Sequence, residues 1–199
     1  MNDIRQTLLR TRDLAVGYTH SAAIGVPDFE LVEGAVWHLT GPNGSGKTAL
    51  LKTLAGLLRP VGGRIERRHA GAGAGGAVYV HSVPYLFAGS VRRNLSLSRP
   101  SRERLESAAE VFALMPLLDR DAATLSHGEQ RRVALARAVA SAPEILLVDE
   151  PEGGLDEDAL AAWRMCMARA IDEGRTGLVV ASHRPVAFDG IHVTEVRLA

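Results

Sequence analysis

Three stretches of this sequence predict an α/β fold with a mainly parallel sheet, an antiparallel β edge at the N-terminus and a short inserted helical subdomain. Ala35 to Thr40 (AVWHLT) reads as a buried strand that runs through a glycine-rich turn into Ala49 to Leu57, whose apolar residues recur at helical spacing. Glu144 to Pro151 (EILLVDEP) is a near-continuous apolar run closed by two acids, the pattern of a central parallel strand covered on both faces. Between them, residues of about 85–141 carry the helical period and form the predicted insert.

Taken in order, Leu8 to Tyr18 and Pro27 to Val32 mix alternating apolar positions with charge, so both are expected as strands of the antiparallel edge. After the first helix, Leu58 to Gly63 (LRPVGG) ends helical structure by proline and glycine, and Arg64 to Arg67 reads as a short strand. Ala70 to Ala77 (AGAGAGGA) has too little side chain to bury and is expected as a flexible loop. Ala77 to Val80 is a predicted buried strand. In the insert, Ser90 to Leu95 and Ser101 to Leu114 read as helices, the second with Leu105, Ala108, Ala109, Phe112 and Ala113 near one face. Ser126 with Glu129 three residues later makes a capping-box pattern, opening a helix that runs toward Pro143. Asp156, Glu157 and Asp158 suit the positive end of another helix, with Leu160, Trp163, Met167, Ala170 and Ile171 as its buried stripe. Thr176 to Ser182 and His192 to Leu198 complete the strands.

The chemistry is concentrated in Gly41 to Thr48, GPNGSGKT, which fits the phosphate-loop pattern G-x-x-x-x-G-K-[ST]. Glycines allow several backbone N–H groups to converge on one concavity, and the following helix adds the positive end of its dipole. Lys47 is then expected to reach the β- and γ-phosphates of a nucleotide, and the Thr48 hydroxyl to ligate Mg²⁺. Asp149, at the end of its strand, is placed to hold the magnesium shell, while Glu150 can orient or deprotonate water. His183 follows a buried strand, where it either touches the γ-phosphate or packs as a hydrogen-bonded histidine. Tyr18 is positioned either to stack on an adenine ring or to pack at a sheet edge.

Composition narrows the remaining classes. The 199 residues suit one domain of ordinary size, and 23 basic against 23 acidic residues leave no net charge to recommend nucleic acid as a partner. Cys166 is the single cysteine, so no internal disulfide forms; it is expected as a small core residue in a reducing compartment. The sequence has no apolar run of 18 or more residues and a polar beginning, which predicts a cytoplasmic chain whose membrane-spanning partner, if any, is another polypeptide.

Together, GPNGSGKT at 41–48, LSHGEQ at 125–130, EILLVDEP at 144–151, Gly154-Leu155-Asp156 and Ser182-His183 resemble the ATP-binding cassette (ABC) ATPase family over essentially the whole chain. The resemblance implies that Gly41, Pro42, Asn43, Gly44, Ser45, Gly46, Lys47 and Ala49 surround the phosphates, with Thr48 and Asp149 at magnesium. It implies Glu150 as catalytic base, His183 as switch histidine and Tyr18 as the adenine-stacking ring. It also implies a second cassette: Ser126 and Gly128 close on the nucleotide held by a partner copy, and Asp156 lies at the seam.

Departures from the family pattern are equally specific. Ser82 stands where a glutamine is usual and lacks its amide, so water is expected to bridge the gap. Ala49 replaces a hydroxyl, removing a phosphate contact worth about 0.5–1.5 kcal/mol. His127 replaces a glycine and Glu152 a threonine. With Lys47, Glu150 and His183 in place, the expectation is an active ATP-hydrolysing subunit of a transporter, peripheral on the cytoplasmic face of the membrane. Export is favoured by the resemblance of Pro84 to Leu95 to exporter-type cassettes. The alternatives are a soluble cassette ATPase in assembly or repair and a low-turnover nucleotide-gated module.

Overall fold

Two sheets divide the chain by the direction of their strands. The computed structural model describes residues 5–68, 76–174 and 176–198. Strand β1 (Thr7–Val16) lies at the centre of an antiparallel sheet, flanked by β2 (Ile24–Gly25), β3 (Glu30–Val32) and, later in the chain, β5 (Gly62–Arg67). Residues 27–29 leave the predicted second strand. There Phe29 bonds across to Thr11 through its carbonyl, which accepts from the Thr11 N–H at 3.0 Å, and its N–H, which donates to the Thr11 hydroxyl at 2.9 Å.

The second sheet is parallel throughout. It contains β4 (Val36–Thr40), β6 (Ala77–Val80), β7 (Ile145–Asp149), β8 (Gly177–Ala181) and β9 (Val193–Arg197), in the order β6-β7-β8-β4-β9. Successive strand side chains alternate faces, and here both faces are dry. Leu146, Val148, Leu178 and Val180 join one core, while Ile145, Leu147, Val179 and Ala181 join the other. The continuous apolar runs of the sequence follow from this double coverage.

Helix α1 (Lys47–Leu54) covers the face shared with the antiparallel sheet. The other face carries α2 (Val91–Leu95), α3 (Arg102–Val111), α4 (His127–Ala140) and α5 (Glu157–Asp172). α4 begins with the expected capping box: Ser126 Oγ accepts the Glu129 N–H, and Glu129 Oε2 accepts the Ser126 N–H at 2.7 Å. Asp156 caps α5 by accepting the Ala159 N–H at 2.8 Å. One position of the insert differs from expectation. α3 ends at Val111, and Ala113, with φ 51°, turns outward to solvent instead of joining Ala108, Ala109 and Phe112. The glycine-alanine stretch lies outside the described residues up to 75, and its last residue, Ala77, opens β6. Cys166 packs partly buried against the helical core, where burial pushes its thiol pKa up and favours the protonated form.

Candidate functional site

Because the central strands are parallel, the loops that follow β4, β6, β7 and β8 gather at one edge of the sheet. They enclose a cleft of about 340 Å³, to which the connection from β1 to β2 adds Gly17, Tyr18 and Ala22, and β2 itself Ile24.

The loop after β4 takes a path open to glycine. Gly41, Gly44 and Gly46 have φ of 139°, 86° and 88°. A Cβ at Gly41 would stand 2.5 Å from the Leu198 carbonyl oxygen, so the loop closes on β9 only without a side chain there. Gly46 is the N-cap of α1 and supplies no capping side chain, leaving the first-turn N–H groups for another acceptor. Asn43, Gly44, Gly46, Lys47, Thr48 and Ala49 form the cleft wall. Gly41, Pro42 and Ser45 lie behind it: the Lys47 ammonium donates to the carbonyls of Gly41 at 2.8 Å and Pro42 at 2.9 Å, and Ser45 Oγ is buried with no partner among the described residues.

Facing this loop is the acidic end of β7. Asp149 is buried and accepts from Thr48 Oγ1 at 2.8 Å and from the Tyr79 hydroxyl at 3.1 Å. Burial, then the Asp149 charge, hold the Tyr79 phenol protonated well above its ordinary pKa, so it remains a donor. Glu150 adopts φ 49°, a left-handed conformation that costs a non-glycine residue about 1–3 kcal/mol. Its carboxylate lies 3.2 Å from His183 Nε2. Burial raises the Glu150 pKa, the neighbouring Glu152 carboxyl raises it further, and His183 opposes the shift.

The loop carrying His183 is anchored through Ser182. Its hydroxyl donates to Glu152 Oε1 at 2.6 Å and accepts the Arg184 N–H at 2.9 Å. Its carbonyl accepts from His38 Nε2 at 3.1 Å, and since a carbonyl cannot donate, that ring nitrogen carries the proton.

Of the residues singled out in the sequence, Tyr18, Asn43, Gly44, Gly46, Lys47, Thr48, Ala49, Ser82, Asp149, Glu150 and His183 line the one cleft. Tyr18 is 66% exposed with Lys52 Nζ 5.6 Å above its ring, which differs from the packed-edge alternative. Ser126, Gly128 and Asp156 do not line the cleft. They sit at the starts of α4 and α5, where Gly128 and Gly154 meet so closely that a Cβ at Gly128 would stand 2.9 Å from the Gly154 carbonyl. The His127 ring also lies against Gly154, where a Cβ would stand 2.8 Å from it.

Sequence reasoning missed Gly17, Ala22, Ile24, Tyr79 and Arg131, and noted Glu152 only as a departure from the family pattern. Only Arg131 carried a signal: it shares the helical stripe of Leu135 and Ala138, an apolar face on which a cation is out of place. Its guanidinium is fully buried and donates to the carbonyls of His81, Asp149 at 2.8 Å and Glu150 at 2.7 Å.

Known proteins resemble this chain in sequence and in fold. The chain is 37% identical over 170 residues to the cytochrome c biogenesis ATP-binding export protein CcmA of Pseudomonas putida, spanning 78% of this chain and 80% of that one. It is 36% identical to the zinc import ATP-binding protein ZnuC of Paramagnetospirillum magneticum, over 78% of this chain and 60% of the relative. A solved ATP-binding subunit of an ABC transporter superposes with a TM-score of 0.79 at 26% identity, covering 88% of this chain and 79% of its own. The family model for ABC transporters matches residues 26–153, well over half of the chain. With the phosphate loop, the acidic strand end and the helix opened by Ser126 all inside one parallel-sheet fold, this chain belongs to the ABC transporter family as an ATP-binding, ATP-hydrolysing cassette.

Proposed function

We propose that this cassette drives transport, in the export direction, through a separate membrane-spanning subunit. In this reading it works on the cytoplasmic face of the membrane as one of a pair of cassettes, identical or different. The whole of residues 1–199 then forms one nucleotide-binding domain with a helical subdomain at about 85–141. The observation that carries its ATP-driven part is the convergence of Lys47, Thr48, Asp149, Glu150 and His183 on a single cleft.

The residues present fit a magnesium nucleotide. Among the described residues the buried Ser45 hydroxyl has no partner and the start of α1 has no side-chain cap, so both can bond a ligand, and Thr48 with Asp149 forms an all-oxygen pair suited to a hard cation. Thr48 and Asp149 would hold Mg²⁺, which when bound neutralises charge on the phosphate oxygens. Lys47 exchanges the carbonyls of Gly41 and Pro42 for the β- and γ-phosphates. Tyr18 offers its exposed ring to the adenine, and Gly44 and Gly46 keep the approach to the main chain free of side chains. Glu150 removes the proton from the attacking water, its raised pKa making it a stronger base than an ordinary carboxylate. His183 holds the Glu150 carboxylate from Nε2, and Ser82 contributes through a bridging water. Ser126 and Gly128 complete the site of a second cassette, with Asp156 at the seam.

The docking part of the proposal is supported by Tyr85 and Phe87, exposed by 67% and 47%, which meet edge to face at 5.2 Å. Arg137 fixes this pair, lying 5.6 Å over the Phe87 ring and donating to the Tyr85 carbonyl at 2.9 Å. Relatives are named for both export and import, so direction rests on the 84–95 segment.

Glu150→Gln tests the mechanism: kcat should fall about 1,000-fold while ATP binding is kept, and an ATP-dependent dimer should appear on sizing chromatography. Hydrolysis that survives the substitution would refute the role of Glu150, and a variant that stays monomeric with ATP would refute the pairing.

A further inference from the structure

Arg131 sits on the second turn of α4, five positions after Ser126, and none of its surface reaches solvent. A buried cation is ordinarily matched to a carboxylate. Here the two terminal guanidinium nitrogens instead bind three main-chain carbonyls at the edge of the parallel sheet: His81, just past β6, and Asp149 and Glu150, at the end of β7. A planar fork with fixed donor directions suits this task, because it specifies where each carbonyl points.

One of these carbonyls belongs to the residue with the least ordinary backbone in the site. Glu150 is held in its left-handed conformation from both sides: its N–H donates to Ala181 at 2.8 Å, and its carbonyl accepts from Gly153 N at 3.1 Å as well as from Arg131. Remove Arg131, and the peptide following Glu150 loses its charge-assisted bond, freeing the backbone toward commoner conformations that swing the carboxylate away from His183.

We propose that Arg131 is the positioning residue for Glu150, holding the left-handed turn that aims the carboxylate into the cleft and tying that aim to the helix that Ser126 caps. The same guanidinium fixes the carbonyl next to Ser82, so the loops after β6 and β7 are set by one side chain. This rests on the reading of Glu150 as the base. It adds a link from the tip that faces a second cassette to the geometry of the first.

Arg131→Lys and Arg131→Gln in the full chain test it. Lysine keeps the charge but not the fork, and glutamine keeps donors but not the charge. The two differ in charge and volume, so if one fails to fold the other decides. The expected result is a fall of about 100-fold in kcat per bound nucleotide, with KM and ATP affinity within about threefold, as for a reacting group displaced by about an ångström. A purely structural arginine would lower the unfolding midpoint and the fraction of chains that bind ATP, leaving kcat per bound nucleotide unchanged; that result overturns the proposal. In the Glu150→Gln background, Arg131→Lys should cause no further loss, whereas an additional tenfold drop would show that Arg131 acts independently of Glu150. If Glu150→Gln alone leaves kcat intact, the base assignment and this inference fall together. If Glu150→Gln abolishes turnover and Arg131→Lys does not, only the inference falls.

Discussion

The cleft at the edge of the parallel sheet and the tips of α4 and α5 are finished to different degrees. In the cleft, four loops bring a lysine, a hydroxyl, two acids and a histidine around one space, and each of Lys47, Thr48, Asp149 and Glu150 already has a partner inside the chain. At the helix tips, Ser126 and Asp156 are satisfied by the first turns of their own helices, and glycines at 128 and 154 bring the two main chains together with nothing between them. The cleft is a concave receptor that one chain can build alone. The tips are a preformed surface whose polar groups stabilise their helices in isolation and are presented outward. Substitutions in the two regions should therefore separate nucleotide binding from pairing.

The largest effect is expected at the cleft. Lys47→Ala removes the only side-chain cation of the loop and should weaken ATP by about 3 kcal/mol, roughly a hundredfold, as measured by calorimetry, with the unfolding midpoint little changed. Unchanged affinity would dissolve the contrast, because the cleft would not be the receptor.

At the tips the order reverses, with stability affected and single-chain binding spared. Gly154→Ala places a Cβ 2.8 Å from the His127 ring at φ 78°, and should cost about 1–3 kcal/mol while abolishing ATP-dependent pairing. His127→Gly in the same chain should recover the part of that loss due to the ring and leave the part due to φ. ATP affinity of the single chain should stay within twofold throughout, and a larger change would mean that the tips shape the cleft directly.

The capping box gives the smallest effect and a pH signature. Ser126→Ala should cost about 1 kcal/mol, a drop of a few degrees in Tm. The backbone N–H of Ser126, then its side chain, hold the Glu129 carboxyl below its ordinary pKa of 4.5. A carboxylate with a lowered folded pKa stabilises fully above the unfolded value, so this contribution is present at neutral pH and is lost as pH falls below 4.5 through the lowered value. Thermal unfolding of Glu129→Gln should therefore differ from the parent at pH 7 and converge with it in acid.

The cleft and the tips also differed in how far the sequence revealed them. The phosphate loop is contiguous, so glycine positions and Lys47 could be read directly, and the pair Ser126 and Glu129 announced its helix at fixed spacing. The strands β7 and β8 were plain because burial on both faces removes alternation and leaves unbroken apolar runs. β2 was not legible: two residues pair only with Ala15 and Val16, too short for any period to appear. Ala113 fitted an apolar stripe by spacing, but the helix had ended two residues earlier. The contacts of Arg131 and Glu152 escaped because their partners are main-chain oxygens and a hydroxyl at the ends of distant strands, contacts that side-chain patterns do not record. Gly17, Ala22 and Ile24 entered the cleft only through the packing of one sheet on the other.

The pairing of Val80 with Val148 and of Asp149 with Ala181 makes the parallel sheet a ruler. Each rung advances about 3.3 Å and turns a side chain to the opposite face. An extra residue within β7 would send Leu147 and Val148 into each other's cores and carry Asp149 one rung away from Thr48. Length is thus frozen inside the strands, and with it the place at which each following loop begins. Ser82, Glu150 and His183, each within two residues of a strand end, reach the same cleft because that spacing is kept.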